Sequence, residues 1–404
     1  MRLELKERQK ITGLMSGRYQ KAGKKEKGRI LDEYVELTGQ NRAYASYLLN
    51  NWGQKIRVGD TVYILGRRKK KKPVEKKRLY DENVFRPLKK LWLISGMLCG
   101  KLMWKFIEDN LDLLTDHGEI EVSEDQREKL LRISPATIDR MLSLEKKKLE
   151  MKARSGTKPG TLLKKSIPIK TFADWNESLP GFLEMDLVSH NGGNPRGEFI
   201  QTLDVTDVCT CWTETEAVIN KAQVFVFKAI KKIRARMPFK VLGLDADGGG
   251  EFINDQLYRY CGKEEITFTR SRPNRKNDNC HIEQKNYSIV RKTVGYYRYE
   301  GEEDLKLLNE IYKRLRLMTN FFIPTMKLEK KIRNGSSVYR KYDQPRTPYK
   351  RVLESPHIAE SVKEELIEMR KGLNPAALRR EMVKLQNNLY KRVTSRGKRN
   401  LKAA

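Results

Sequence analysis

The sequence changes character at residues 182–190, which read FLEMDLVSH. Apolar and polar side chains alternate along this stretch, which predicts a strand with one buried face. Residues 199–205 and 210–216 are rich in β-branched and aromatic side chains and predict two more strands. The elements predicted after them are a helix over 220–236, a strand at 239–244, a short helix at 253–261, a strand at 266–270 and a long helix over 278–294. This order predicts an α/β core in the middle of the chain.

Three carboxylates stand in three separate motifs of that core. Asp186 lies in FLEMDLVSH, Asp247 in GLDADGGGEFIN (243–254) and Glu283 in RSRPNRKNDNCHIEQKN (270–286), with 35 residues between the last two. Hard oxygen ligands without His or Cys indicate Mg²⁺, with Mn²⁺ as a substitute. Phosphodiester chemistry on DNA uses such carboxylates around two divalent ions. The pattern therefore predicts a two-metal site, although each carboxylate taken singly could be a turn, cap or surface residue.

At these motifs the chain resembles the DDE transposases of bacterial insertion sequences, whose catalytic core is shared with retroviral integrases. The resemblance runs over about residues 183–295, and looser features extend to both ends. It implies a ribonuclease-H-like fold in which Asp186 contacts both ions, while Asp247 and Glu283 each hold one. It also implies cleavage at the transposon ends, transfer of the freed 3′-OH into target DNA, and a homo-oligomer on the DNA.

The chain departs from the family at its second motif, which leaves alternatives open. The usual pattern there is Asp-Asn-Gly, whereas this chain has Asp247-Gly248-Gly249. Losing the Asn amide suggests a second hypothesis, a catalytically weakened transposase-derived DNA-binding protein. A stand-alone nuclease of the ribonuclease H type is a third. Asp245 competes with Asp247 as the second ligand, because it precedes it by two residues on the same strand face.

The charge distribution indicates a polyanionic partner. The formal net charge of the 404 residues is +31. Residues 1–170 carry 40 basic and 22 acidic side chains, residues 171–325 carry 22 of each, and residues 326–404 carry 21 and 8. A neutral core between basic arms is typical of an enzyme held on double-stranded DNA by its neighbours, and such binding weakens steeply with salt.

The flanks predict DNA-binding modules. Residues 26–50 show a helix-turn-helix pattern with a turn at Thr38-Gly39-Gln40, and 129–143 show a second candidate. A hairpin turn is predicted at Asn334-Gly335. The predicted domains are a helix-turn-helix domain (1–65), a basic linker (66–79), a second helical DNA-binding domain (80–154), a linker (155–177), the ribonuclease-H-like integrase core (178–320) and a basic C-terminal β-module with a helix (321–404). The predicted DNA-binding residues are Arg42, Arg67, Arg68, Lys69, Lys70, Arg270, Arg272, Arg275, Lys276, Lys285 and Asn286.

The cysteines and the apolar segments of the chain indicate the cellular compartment in which the protein is expected. The five cysteines form neither a disulfide framework nor a zinc motif, and no secretory signal is recognisable, so a cytoplasmic, nucleoid-associated protein is expected. The apolar run 91–104 is too short and too interrupted to span a bilayer and predicts a core helix. His190 could contact a phosphate or serve a structural role, and Trp212 is predicted to lie in the core.

Overall fold

A computed structural model describes residues 3–58, 61–66, 79–148, 179–247, 249–270, Ile282, 285–335 and 337–403. The chain divides into two compact units, Met1–Arg78 and Leu79–Ala404. Among the helices described in these ranges, none is long and apolar enough to cross a membrane.

The first unit is a three-helix bundle followed by a small hairpin. Its elements are α1 (Leu5–Lys21), α2 (Lys24–Thr38), α3 (Arg42–Asn51), β1 (Lys55–Val58) and β2 (Thr61–Ile64). Gly39 ends α2 with a φ of 65°, and the Asn41 side chain caps α3 by accepting a hydrogen bond from the Ala43 N–H. The predicted helix, turn and second helix are thus confirmed, whereas α1 and the hairpin were not predicted.

The second unit opens with five helices. They are α4 (Glu82–Ile94), α5 (Gly100–Asp116), α6 (Glu124–Arg132), α7 (Pro135–Met141) and α8 (Ser143–Lys147). The predicted helix over 91–104 is wrong, because the chain turns between α4 and α5, where Gly96 and Met97 have φ values of 79° and 65°. Ser123 and Gln126 form a capping box at the start of α6.

The centre of the second unit is a mixed five-stranded sheet. Its strands are β3 (Phe182–Ser189), β4 (Gln201–Asp207), β5 (Thr213–Val218), β6 (Gly243–Ala246) and β7 (Thr267–Arg270). Their spatial order is β5-β4-β3-β6-β7, with β3, β4 and β5 antiparallel and β6 and β7 parallel to β3. The helices α9 (Gln223–Arg234) and α10 (Asp255–Lys263) follow β5 and β6. The elements predicted between residues 182 and 270 occur in the predicted order, which is the order that the family resemblance implied.

The two faces of the sheet have different partners. Leu183 and Met185 of β3 pack with the buried side chains of α9 and α10 in one hydrophobic cluster. Val188 and Trp212 belong to a second cluster on the opposite side, which also holds Tyr312. Trp212 is therefore a core residue, as predicted. Because side chains alternate along a strand, Glu184 and Asp186 project from the face opposite to Leu183 and Met185.

The chain after the sheet is mainly helical. A π-helical segment (Asn286–Arg291) continues into Lys292–Val294 and is followed by α11 (Gly301–Phe322), β8 (Leu328–Asn334), β9 (Ser337–Tyr342), α12 (Pro348–Glu354), α13 (Glu360–Lys371) and α14 (Pro375–Ala403). The predicted turn at Gly335, with a φ of 60°, is confirmed, and the predicted C-terminal helix is α14, which begins at Pro375. The first part of the helix predicted over 278–294 lies mostly outside the described residues.

Helices from both ends of the second unit share one hydrophobic cluster. Buried side chains of α4–α7 belong to the same cluster as Leu378, Met382 and Leu389 of α14. Glu119, which follows α5, is held by Arg380 at 2.7 Å and Asn374 at 2.7 Å. The apolar side chains of α14 thus pack within the protein. The division of this unit into separate domains stays a prediction.

Candidate active site

Asp186 lies in the middle of the central strand, on the polar side of the sheet. Its Oδ2 accepts a hydrogen bond of 2.6 Å from the Asn286 Nδ2. A hydrogen bond to a carboxylate fixes the direction of that carboxylate and favours its charged form. Asn286, which the sequence suggested as a DNA contact, is therefore a positioning residue for Asp186.

Asp247 follows β6 directly, and the strand register brings it beside Asp186. The parallel pairing sets Phe182 opposite Gly243 and ends with Met185 opposite Ala246. Continued by one residue, this register sets Asp186 next to Asp247, with backbones about 4.8 Å apart. The Asp247 Oδ1 accepts a 3.0 Å hydrogen bond from the Gly249 N–H, which orients the side chain at the strand end.

Glu283 lies outside the described residues, but chain on either side of it is tied to β3. The Ile282 N–H donates a 2.9 Å hydrogen bond to Glu184 Oε2. The Asn286 amide donates to Asp186, two residues further along the same strand face. Ile282 and Asn286 therefore both contact the polar face of β3.

Asp245, the competing ligand, is engaged elsewhere. It is 2% exposed, and its carboxylate accepts a hydrogen bond from the Thr269 hydroxyl on β7. The register places Asp245 between Glu184 and Thr269 across three strands. This position is deeper in the sheet than that of Asp247, which lies past the end of β6.

A further buried carboxyl lies opposite Asp186. Asp204 of β4 is paired with Asp186 in the antiparallel register and is fully buried. Burial raises the pKa of Asp204 to about 8, an effect that the positive charge of Lys285 opposes and the Asp186 charge reinforces. A weak hydrogen bond from the Val205 N–H is the smallest of the effects on this pKa. Burial lowers the pKa of the Lys285 ammonium, while the Asp204 charge raises it.

Sequence reasoning missed Glu184 and Asp204. The spacing of Glu184 and Asp186 on one strand was the available signal for the first. An acidic residue in the otherwise uncharged run 199–206 was the signal for the second. Neither signal tells a buried carboxyl from a surface one, because that depends on what covers the face.

The remaining predicted residues are scattered. Arg42 begins α3 and pairs with Asp32, Arg270 ends β7 and is 8% exposed, and Lys285 is beside Asp204. The others lie outside the described residues: Arg67, Arg68, Lys69, Lys70, Arg272, Arg275 and Lys276. Their contacts with DNA stay predictions.

His190 is a structural residue. It is fully buried, and its Nε2 lies 2.7 Å from the Thr202 hydroxyl, which in turn lies 2.7 Å from the Tyr312 hydroxyl. Burial, helped by the charge of Arg291, lowers the pKa of His190 to about 3. A neutral imidazole in this network joins β3, β4 and α11 and does not reach a phosphate.

A bacterial protein is similar in sequence to most of this chain. The chain is 34% identical over 356 residues to the uncharacterized protein y4rM of Sinorhizobium fredii, and the match covers 87% of this chain and 96% of that protein. No family model matches the chain.

Among solved structures, retroviral integrases are similar to part of the chain. The catalytic core domain of BIV integrase matches with a TM-score of 0.30 at 18% identity, covering 44% of this chain and 96% of the core. The HTLV-2 integrase catalytic core in complex with magnesium matches with a TM-score of 0.28 at 12% identity, covering 36% of this chain and 91% of that one. The strand order and register of β3 to β7 themselves define the fold.

Proposed function

The chain belongs to the family of the y4rM protein of Sinorhizobium fredii, and we propose that it is a DDE transposase, a metal-dependent polynucleotidyl transferase. The proposed reaction is cleavage of DNA at transposon ends followed by transfer of the 3′-OH into target DNA. The observation that carries the proposal is the parallel register of β3 and β6, which ends at Met185 opposite Ala246, one residue before Asp186 and Asp247. The hydrogen bonds of Ile282 and Asn286 to β3 support Glu283 as the third carboxylate.

The donor set fits divalent magnesium. Asp186, Asp247 and Glu283 offer only carboxylate oxygens, which suit Mg²⁺ and Mn²⁺. Two such ions, when bound, supply the Lewis acidity for displacement at phosphorus. Asp247 is the better second ligand, because Asp245 is buried and bonded to Thr269.

The surrounding residues would hold the carboxylates in position. The Asn286 amide orients Asp186, and the Gly249 N–H orients Asp247. Glu184 ties the backbone at Ile282 to the central strand. The basic arms would bind the phosphates of both DNA partners, with residues 1–65 reading the transposon end and a homo-oligomer joining two ends.

A catalytically weakened DNA-binding protein is the second candidate. It is favoured by the sequence Asp247-Gly248-Gly249-Gly250, which lacks the Asn of the usual family motif. Such a protein would bind the same DNA and would not cut it.

Metal-dependent nicking of a duplex that carries the element's own end tests the proposal. The wild-type chain should release a 3′-OH end in Mg²⁺, and Asp186→Asn, Asp247→Asn and Glu283→Gln should each abolish the product. Asp255→Asn is the matched control, because Asp255 lies exposed on α10 and pairs with Arg259. Tight binding without nicking by the wild-type chain would establish the weakened protein, and Gly248→Asn would then be expected to restore cleavage.

A further inference from the structure

The strands β8 and β9 form a ribbon that nothing covers in the described part of the chain. They pair only with each other and form a sheet of their own. Ile332, Tyr339 and Tyr342 are 37%, 60% and 44% exposed, although such side chains usually help to cover a core. A two-stranded hairpin is at best marginally stable alone, so a ribbon left uncovered on both faces is typical of a surface that meets a partner.

The base of this ribbon is fixed to the sheet of the candidate active site. The Lys327 N–H donates a 2.6 Å hydrogen bond to Asp343 Oδ1, and the Lys327 ammonium donates to the Cys209 carbonyl at 2.9 Å. Asp343 also forms a 2.7 Å ion pair with Arg351 in which both side chains are largely buried. The ribbon therefore projects in a fixed direction from the turn that joins β4 to β5.

The ribbon places like charges opposite each other. Lys330 is the register partner of Lys341, and the next register pair is Lys331 with Arg340. Like charges directly across an antiparallel pair are destabilising. Glu329 is the single acidic residue of the two strands and offsets part of this charge, with a 2.9 Å ion pair to Lys341. A bound polyanion would remove the remaining repulsion.

We propose that the ribbon of β8 and β9 binds in a groove of duplex DNA. Its lysine and arginine side chains would contact phosphates, and Tyr339 with its cross-strand partner Ile332 would enter the groove. A two-stranded ribbon fits the major groove, which is about 12 Å wide, and strands of this length reach about 20 Å. The proposal rests on the proposed function only in taking DNA as the substrate.

Duplex DNA suits this ribbon better than a second copy of the chain. Pairing between the exposed edges of two ribbons would bring cationic strands together, and lysines on edge strands oppose such pairing. Phosphates complement the same charges. A ribbon that used its lysines only to prevent pairing between copies would have no need of exposed tyrosines.

Salt-dependent binding of the full-length chain to duplex DNA, measured by fluorescence anisotropy in EDTA, tests the ribbon. Lys330→Gln/Lys341→Gln should lower the slope of log K against log salt by about 2, because two phosphate contacts are lost. This variant removes the Glu329–Lys341 ion pair together with the repulsion between Lys330 and Lys341, so the ribbon is expected to stay folded. The matched control is Lys306→Gln/Lys313→Gln on α11, which makes the same charge change at exposed side chains and should leave the slope within about 0.5.

A second variant tests the groove contact separately. Tyr339→Ala should weaken binding about fivefold or more with no change of slope, since it removes apolar contact and no charge. The proposal is overturned if the double lysine variant and its control give equal slopes. It is also overturned if the double variant self-associates while its DNA binding is unchanged. Because EDTA excludes cleavage, a slope change in a chain that never nicks DNA would support the ribbon and reject the proposed catalysis.

Discussion

Among single residues, the orientation and burial of two acidic side chains on β3 decide their roles. Alternation along β3 puts Glu184 and Asp186 on one face, and burial decides what each can do. Glu184 is buried and accepts a hydrogen bond from the Ile282 N–H, while Asp186 is partly exposed and accepts from the Leu187 N–H and the Asn286 amide. Two acids two residues apart thus take different parts, anchor and candidate ligand.

The amide of Asn286 gives the first prediction. Asn286→Ala removes a hydrogen bond to a charged group, which is worth about 1.5–3 kcal/mol. The Mn²⁺ concentration for half-maximal nicking should rise about tenfold or more, because Asp186 is no longer held in position. Asn388→Ala, at an exposed position of α14, is the control and should leave the titration unchanged. An equal titration for Asn286→Ala would exclude a positioning role.

The buried His190 gives a pH prediction. Its pKa is lowered to about 3 in the folded chain by burial and by Arg291, while the unfolded value is about 6.5. Below pH 6.5 the unfolded state binds the extra proton, so stability falls as pH falls from about 6.5 towards 3. When the pH falls from 7 to 5, the free energy of unfolding should decrease in both proteins. The decrease should be about 2 kcal/mol smaller in His190→Gln than in the wild type.

Urea denaturation at the two pH values measures this difference. The exposed His117→Gln is the control and should follow the wild type. If His190→Gln loses as much stability between pH 7 and 5 as the wild type does, the inference that His190 is buried as a neutral imidazole is wrong.

Among the secondary-structure elements, the sequence predicted the strands of the core better than the turns that connect them. Hydrophobic alternation located β3 to within a residue, and β4 was predicted two residues early. The third strand was predicted from 210 but begins at Thr213, because Asp207 accepts hydrogen bonds from the Thr210 N–H and hydroxyl and shapes a turn there. Such a turn depends on a buried carboxylate, which local sequence does not reveal.

The candidate site was also predictable only in part, because some of its contacts join residues that are distant in the sequence. Asp186 and Asp247 were predicted from their motifs, and each directly follows a residue of the last register pair of β3 and β6, Met185 with Ala246. Asp204 lies opposite Asp186 because β3 pairs with β4, and the two residues are 18 positions apart in the chain. The exposed ribbon could be predicted as a hairpin from Asn334-Gly335, but only tertiary packing shows that nothing in the described chain covers it.

The contact between α11 and α14 gives a prediction at this scale. Asp304 of α11 is fully buried and pairs with Arg392 at 3.0 Å and with Arg396, both of α14. Arg392→Gln/Arg396→Gln leaves a buried carboxylate unpaired, which costs about 3 kcal/mol of unfolding free energy. Urea denaturation measures the loss.

The exposed pair Lys384→Gln/Lys391→Gln on α14 makes the same charge change and serves as its control. A loss below about 0.5 kcal/mol in the Arg392 and Arg396 variant, the range of ordinary surface changes, would show that this ion pair does not fasten α14.

At the scale of the whole molecule, the two helix-turn-helix candidates differ in what they expose. On α3, Tyr44 and Tyr47 are 53% and 44% exposed. On α7, Ile138 is fully buried and Asp139 accepts a 2.9 Å hydrogen bond from the Gly100 N–H of α5. The exposed face of α3 is the better candidate for reading base edges in the major groove.

Removing residues 1–78 tests this assignment. The remaining unit has its own hydrophobic clusters, so its melting temperature should change little. Its preference for the element's end over unrelated duplex should fall at least tenfold, because α3 is gone. A truncated chain that keeps the preference would move sequence reading to residues 79–404.

We propose that Asp186 in β3 and Asp247, the residue that follows β6, hold divalent ions together with Glu283. Counting Mn²⁺ ions by electron paramagnetic resonance on the full-length chain with duplex DNA tests it without relying on turnover. Two ions are expected for the wild type, fewer for Asp247→Asn, and two for Asp245→Asn. Two ions in Asp247→Asn and a loss in Asp245→Asn would contradict the ligand assignment, and no bound ion in the wild type would contradict the claim itself.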